Sequence, residues 1–320
     1  MKKILEEVRS SDKIAITGHV RPDGDCVGSC MGMYLYLKKA LPGAQVDVYL
    51  EKPSAVFDCI SRIGDIKTDC GADTVYDVCI VLDVAADRLG DAEKYFLTAK
   101  KTINIDHHIS NASGCAQVNY CRPDASSASE LVYELMDEEL IDKDIAQAIY
   151  IGIIHDTGVF QYSNTTPHTM EIGARLIRYG FDFSRLIDET FYEKTYLQAQ
   201  VLGRALLESV RFMEGRCIVS VIDRKTMDFY GVNAKDLEGI VSQLRVIKGV
   251  ECALFLYQTG TQEYKVSLRS NGRVNVAEVA SFFGGGGHVR AAGCTMHGTV
   301  HDCINNLSLH IERQLQEEPT

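Results

Sequence analysis

The sequence contains no apolar run approaching the roughly 18 residues that a membrane-spanning helix needs. Near its start, Lys2 and Lys3 are followed at once by Glu6, Glu7 and Arg9, which leaves no apolar core for a signal peptide. We therefore expect a cytoplasmic protein with no membrane partner. No Cys-x-x-Cys pair occurs, which argues against a structural zinc knuckle. The eleven cysteines are odd in number and scattered, and Cys79, Cys217 and Cys252 lie inside apolar runs. They read as reduced, buried small hydrophobes. Positive charge is also scarce, with 33 Lys and Arg against 44 Asp and Glu and a net charge of −11. Proteins that grip long duplex nucleic acid draw their affinity from phosphate neutralisation, and this chain lacks the surface for it. A phosphate-ester substrate would then be small, with bound cations and a few arginines supplying the positive field locally. There is no internal repeat and no low-complexity tail.

What is present fits two domains of ordinary size in 320 residues, 46% of them hydrophobic. The first half alternates apolar strands, near 13–18, 45–50, 77–83, 101–105 and 116–120, with helices near 2–10, 27–40, 54–61, 87–98, 126–138, 143–155, 167–179 and 184–190. That alternation predicts an α/β domain with a parallel sheet over residues 1–190. A helical stretch over 191–209 reads as a connector. Residues 210–320 read as a smaller mixed α/β domain. It has a hairpin around Glu214–Arg216, helices near 225–230 and 234–247, and paired strands near 250–258 and 263–270. A helix at 275–283, a glycine loop, a strand near 293–296 and a last helix near 300–317 follow.

Four islands carry the chemistry. His19, Asp23 and Asp25 occupy a strand-to-helix loop in Gly18–Ser29. Asp83 closes the apolar run that begins at Val78. Asp106, His107 and His108 close the run from Thr102, and Asp156 closes the run from Ile149. Each acid or imidazole sits just past a buried segment, on what a parallel sheet makes one rim. Taken alone, Asp83 reads as a helix cap and Asp156 as the end of a helix, and His155 reads as structural. Together, His19, Asp23, Asp25, Asp83, His107 and Asp156 are a donor set suited to manganese, with Mg²⁺, Co²⁺ or Fe²⁺ as alternatives. Burying so many ionisable groups is costly without cations to neutralise them.

A second feature is the run Gly284–Gly287 followed by His288, whose backbone amides could approach an anion. Upstream, Arg269 and Ser270 end a strand, and a guanidinium is suited to a phosphate.

These motifs resemble the DHH phosphoesterase superfamily, whose Asp-His-His stands here as Asp106-His107-His108. His-x-x-x-Asp-x-Asp-x-x-Gly-Ser is matched by His19–Ser29, Asp-Thr-Gly by Asp156–Gly158, and the DHH-associated C-terminal domain by Arg269-Ser270 with the glycine–His loop. In length and layout the chain is most similar to the bacterial nanoRNase group, which acts on short oligonucleotides and on 3′-phosphoadenosine 5′-phosphate (PAP). The resemblance implies two metal ions. His19, Asp23 and Asp83 would hold one; Asp25, Asp83, His107 and Asp156 would hold the other, with Asp83 shared. It implies that His108 faces the scissile phosphate and that Asp106 orients it. It implies that Arg269, Ser270, Gly285, Gly286, Gly287 and His288 clamp the phosphate of the terminal nucleotide. Cyclic dinucleotides are alternative substrates, and homodimerisation is expected by analogy. The alternatives to this function are an inorganic pyrophosphatase and a non-catalytic nucleotide-binding regulator.

Overall fold

The computed structural model describes residues 3–71, 73–85 and 88–316. Positions 2, 87 and 317, at which three expected helices begin or end, lie outside them. The chain divides into two compact units, Met1–Glu193 and Lys194–Thr320.

The first unit is built on a five-stranded, all-parallel sheet. Its strands are β1 (Lys13–Thr17), β2 (Gln45–Tyr49), β3 (Val78–Leu82), β4 (Lys101–Asp106) and β5 (Val118–Cys121), in the order β2-β1-β3-β4-β5. Its helices are α1 (Ile4–Val8), α2 (Gly24–Ala40), α3 (Glu93–Thr98), α4 (Ala128–Leu135), α5 (Lys143–Asp156), α6 (Pro167–Ile177) and α7 (Phe183–Ile187). Every residue of β3 is buried, as a central parallel strand requires. From β1 the chain turns to β2 on one flank and later returns to β3 on the other. The carboxyl ends of β1 and β3 are thus a topological switch point, where open α/β sheets leave a crevice.

Helices α2 and α5 pack closely because both carry glycine at the crossing. A Cβ on Gly28 would lie 2.6 Å from the Gly152 nitrogen, and a Cβ on Gly152 would lie 1.9 Å from Ser129 Oγ. This close approach draws the start of α2, with Asp25, toward α5, which ends at Asp156.

Several expected helices are shorter than the sequence pattern predicts. Residues 54–61 form only a 3₁₀ turn at Ala55–Phe57, with Phe57 and Ile60 buried and the rest largely exposed. The helix expected at 87–98 reduces to a 3₁₀ turn and α3. Ser127 caps α4, its Oγ accepting from Glu130 N at 3.0 Å. Ser127 and Glu130 have the spacing of a capping box, but none forms, because the Glu130 carboxylate instead accepts from the Ser126 and Thr169 hydroxyls, both at 2.6 Å.

The second unit contains β6 (Val210–Phe212), β7 (Cys217–Ile222), β8 (Cys252–Gly260), β9 (Glu263–Ser270), β10 (Gly286–His288) and β11 (Ala291–His297), in the order β10-β11-β9-β8-β7-β6. Only β7 and β8 pair in parallel. Its helices are α8 (Tyr196–Leu207), α9 (Arg224–Tyr230), α10 (Ile240–Arg245), α11 (Val276–Phe282) and α12 (Val300–Gln316). The helix read as a connector, α8, buries Val201 and Ala205 among Ile218, Ile222 and Phe255, in this unit's own core. A break at Gly239 (φ +84°) splits the helix expected at 234–247. Part of the expected glycine loop is strand: Gly286–His288 pair antiparallel with β11. No helix among the described residues is long and apolar enough to cross a membrane. Seven cysteines are buried as expected, but Cys59 is exposed and Cys70, Cys115 and Cys121 are partly so.

Candidate metal centre

The three segments that follow β1, β3 and β4 converge with the end of α5. Asp23 caps α2, its Oδ1 accepting from the amides of Asp25 and Cys26 at 3.1 Å each. His19 donates Nδ1–H to the Val20 carbonyl at 2.9 Å, which leaves Nε2 as the lone-pair nitrogen. That nitrogen lies 3.6 Å from Asp23 Oδ1 and 3.5 Å from Asp83 Oδ2. On the other side of Asp83, Oδ1 lies 3.5 Å from His107 Nε2. His107 Nε2 is also 3.6 Å from Asp156 Oδ2 and 3.9 Å from Asp25 Oδ2. All six expected ligands therefore meet, and Asp83 stands between two groups of them with one oxygen toward each.

Asp83 is held at a cost. Its φ is +59°, a left-handed conformation worth about 1–3 kcal/mol of strain in a residue other than glycine. It is 2% exposed, and its Oδ1 has no hydrogen-bond donor. The separations of 3.5–3.6 Å around it are too long for hydrogen bonds. They suit donors arranged about a shared cation. A buried, strained carboxylate with one oxygen lacking a donor, among imidazole nitrogens, is what a divalent cation would satisfy, so the residues fit a metal.

The electrostatics agree. Burial raises the Asp156 carboxyl to about 6, with Asp83 and Asp23 adding to the rise. Burial, Asp83 and Asp156 push Asp25 well up. Burial disfavours the charged imidazoles, but neighbouring carboxylates overcome it, raising His19 to about 11 and His107 to about 10. Burial alone would raise Asp23, yet His19 and the two amides bring it down to about 2. The cluster calls for positive charge, supplied by protons or by cations.

His108 also approaches Asp83, its Nδ1 3.6 Å from Oδ1, and Asp106 braces it. His108 Nδ1–H donates to Asp106 Oδ1 at 2.7 Å, and Asn111 donates to Asp106 Oδ2 at 2.6 Å. The Asp106 contact raises the His108 pKa. Burial opposes the charge on Asp106, but His108 and Asn111 lower its pKa overall. His155, which reads as structural in the sequence, meets Phe57 and Phe191 edge to face, with ring centroids 5.1 and 5.5 Å apart, and burial lowers its pKa to about 4.

In the second unit, β9 alternates between two faces. Tyr264, Val266, Leu268 and Ser270 are buried, whereas Lys265, Ser267 and Arg269 face the other way. Register extends this second face into rows: Arg269–Ala291–His288, then Ser267–Gly293–Gly286, then Lys265–Thr295. Arg269 and His288 thus share a face. Ser270 lies on the opposite, buried one, its hydroxyl 3.4 Å from Glu251 Oε1 and accepting from Gly272 N at 3.0 Å. Two of the glycines are explained by packing: a Cβ on Gly285 would lie 2.2 Å from the Gly293 oxygen, and one on Gly287 would lie 2.4 Å from the Ala291 oxygen. Gly286 has no such reason, since a Cβ there would meet open space and its φ is ordinary.

Residues 13–153 match the DHH family N-terminal domain, and residues 214–317 match the DHHA1 domain. The chain belongs to the DHH family. It is 29% identical over 301 residues to the bifunctional oligoribonuclease and PAP phosphatase NrnA of Bacillus subtilis, covering 92% of this chain and 93% of that one. It is 28% identical to the protein of the same name from Thermus thermophilus, covering 93% and 89%. The solved structure of an exopolyphosphatase-related protein from Bacteroides fragilis superposes with a TM-score of 0.88 at 26% identity, over 97% of this chain and 94% of that one.

The DHH-type site also depends on groups that the sequence did not reveal. The amides of Ala128 and Ser129, at the start of α4, donate to the two Asp25 oxygens at 2.7 and 3.0 Å. Asn164 Nδ2 donates to Asp156 Oδ2 at 3.2 Å and to the Ser126 carbonyl at 2.9 Å. It thereby ties Asp156 to the loop that holds Asp25. The only sequence signal was the helix start at Ser126-Ser127.

Proposed function

We propose that this protein is a metal-dependent phosphodiesterase that hydrolyses short oligonucleotides, including pApA-type dinucleotides, to mononucleotides, and that it also removes the 3′-phosphate of PAP. The observation that carries the proposal is Asp83, with its two oxygens turned to separate imidazoles and one of them lacking a donor. The relatives named oligoribonuclease and PAP phosphatase match over nearly the whole chain, which supports the substrate class.

Two divalent cations, Mn²⁺ by the mixture of donors, would be held by His19, Asp23 and Asp83 and by Asp25, Asp83, His107 and Asp156. Bound there, they would supply Lewis-acid polarisation of a phosphoryl group and of water. The protein's own groups do the rest. Asn164 and the α4 amides fix the Asp156 and Asp25 carboxylates. Asp106 fixes the ring of His108 through Nδ1 and raises its pKa, which favours the protonated form whose Nε2–H can donate to a phosphoryl or leaving oxygen. Arg269 supplies positive charge and His288 a hydrogen bond for a second phosphate of the substrate, and Gly286 keeps the sheet surface bare beside them. A pyrophosphatase would need a denser cationic pocket than this face provides.

The test is a product analysis with Mn²⁺ on pApA, PAP, cyclic diadenylate and pyrophosphate. We expect AMP from pApA and phosphate with AMP from PAP. Turnover of pyrophosphate alone would overturn the proposal.

A further inference from the structure

The left-handed turn that carries Asp83 is gripped by a side chain outside the ligand set. Asn104 lies on β4, opposite Val81 of β3 in register, and is wholly buried. Its Nδ2 donates to the Val81 carbonyl at 3.3 Å and to the Val84 carbonyl at 3.0 Å. These two carbonyls bracket Asp83. The Asp83 amide still donates to the Ile105 carbonyl at 3.0 Å, a last rung between β3 and β4, before its φ of +59° turns the chain away. Among the described residues no backbone amide donates to the buried Val84 carbonyl, which is met instead by Asn104 and, at 3.4 Å, by Asn111 Nδ2.

Asn104 is itself fixed. Its Oδ1 accepts from the Cys115 amide at 3.3 Å, from Asn111 Nδ2 at 2.9 Å and from the Cys121 thiol at 3.3 Å. A backbone amide at one end of the carboxamide and two backbone carbonyls at the other leave it a single orientation. Asn111 Nδ2 donates onward to Asp106 Oδ2. One hydrogen-bonded chain thus runs from the turn at Asp83, through Asn104 and Asn111, to Asp106 and His108. A residue held in a left-handed conformation persists only where its surroundings over-determine it, and at Asp83 these bonds do so.

We propose that Asn104 is a positioning residue, which holds the turn so that the two Asp83 oxygens face separate ligand groups and which, through Asn111, locks that turn to Asp106 and His108. The proposal rests on the reading of the site as a two-cation centre. Asn104 is not itself a ligand. Without its Nδ2 the turn relaxes toward extended backbone, and Asp83 can no longer serve two cations at once.

A residue needed only for packing would change stability and leave the sharing of Asp83 intact, so the experiment reads the sharing. Mn²⁺ is titrated by calorimetry and electron paramagnetic resonance into wild type, Asn104→Asp and Asn104→Leu, both replacements being close to asparagine in size. Ile103→Ala, at a buried neighbour on β4, controls for lost stability. Two Mn²⁺ bridged by one carboxylate give an exchange-coupled signal in the wild type. In both Asn104 variants this signal should give way to that of isolated Mn²⁺, with the weaker site losing at least about tenfold in affinity. Ile103→Ala should melt at lower temperature yet keep the coupled signal. Hydrogen exchange in the wild type covers the case in which neither Asn104 variant folds: the Asn104 side-chain amide should be protected as strongly as the β4 backbone, with or without Mn²⁺. A coupled signal kept at wild-type affinity in the folded variants, or an unprotected Asn104 amide in the wild type, would overturn the clamp. A wild type that binds no pair of Mn²⁺ would overturn the two-cation reading instead.

Discussion

The metal centre and the DHHA1 sheet face are built in opposite ways. At the centre, buried and half-buried acids and imidazoles converge with the exposed Asp23, most of them are braced, and Asp83 sits in a strained conformation. At the sheet face, the half-buried Arg269 and the exposed Lys265 and His288 stand among small residues, two of the four glycines let strands approach, and Gly286 serves no packing purpose. The first arrangement is braced before substrate arrives: amides hold Asp23 and Asp25, Asn164 holds Asp156, and His108 and Asn111 hold Asp106. The second commits to nothing until a ligand covers it. A strict chemical centre is thus paired with a permissive holding surface, which is what a protein acting on several small phosphate esters needs.

The sharpest way to break this contrast is at Asp83. Asp83→Asn should lower kcat/KM by at least about a hundredfold, since both ligand groups share this residue. Its metal-free melting temperature at neutral pH should fall, because the protonated His19 and His107 rings lose a counter-charge 3.5 Å away. Retention of more than about a tenth of the activity would show that the carboxylate is not shared between cations. His108→Gln should lower kcat by about 10²–10³-fold while leaving Mn²⁺ affinity little changed, a split that calorimetry and kinetics together report. Asn164→Ala should weaken Mn²⁺ binding about tenfold by freeing Asp156, with partial recovery of rate at high Mn²⁺.

The cluster's protonation gives a pH test. With Asp156 raised to about 6, His19 to about 11 and His107 to about 10, the metal-free cluster holds protons at neutral pH. Cation binding must displace them, so Mn²⁺ affinity should rise with pH and fall as pH drops from about 8 to 6. Calorimetry in two buffers of different ionisation enthalpy would detect the released protons; a result independent of buffer would contradict this charge assignment.

The smallest effects belong to the sheet face. Gly286→Ala should leave stability within about 0.5 kcal/mol and raise KM a few-fold. Gly285→Ala should destabilise the domain by about 1–3 kcal/mol, because its Cβ would lie 2.2 Å from the Gly293 oxygen. Equal behaviour of the two would show that Gly286, too, is there for packing.

These pairs also mark what the sequence could and could not reveal. The ligands were legible because each follows an apolar run, and a parallel sheet gathers such ends on one rim. Their braces were not: Asn164 reaches partners 8 and 38 residues away, and the amides that hold Asp25 lie more than 100 residues from it. Asp83's left-handed backbone leaves no mark in composition. Ser270 was read as an anion contact from its place beside Arg269, but the two-residue period of a strand turns neighbours to opposite faces. The glycine run looked like a loop because nothing in its own residues shows the strand against which Gly285 and Gly287 pack. The helix expected at 54–61 failed for a related reason, as only Phe57 and Ile60 find a core to enter.

The most direct measurement is anomalous scattering from crystals grown with Mn²⁺. The account predicts two manganese peaks about 3.5–4 Å apart, one against each oxygen of Asp83, with His19 on one ion and His107 on the other. A single peak, or peaks that leave Asp83 untouched, would contradict it.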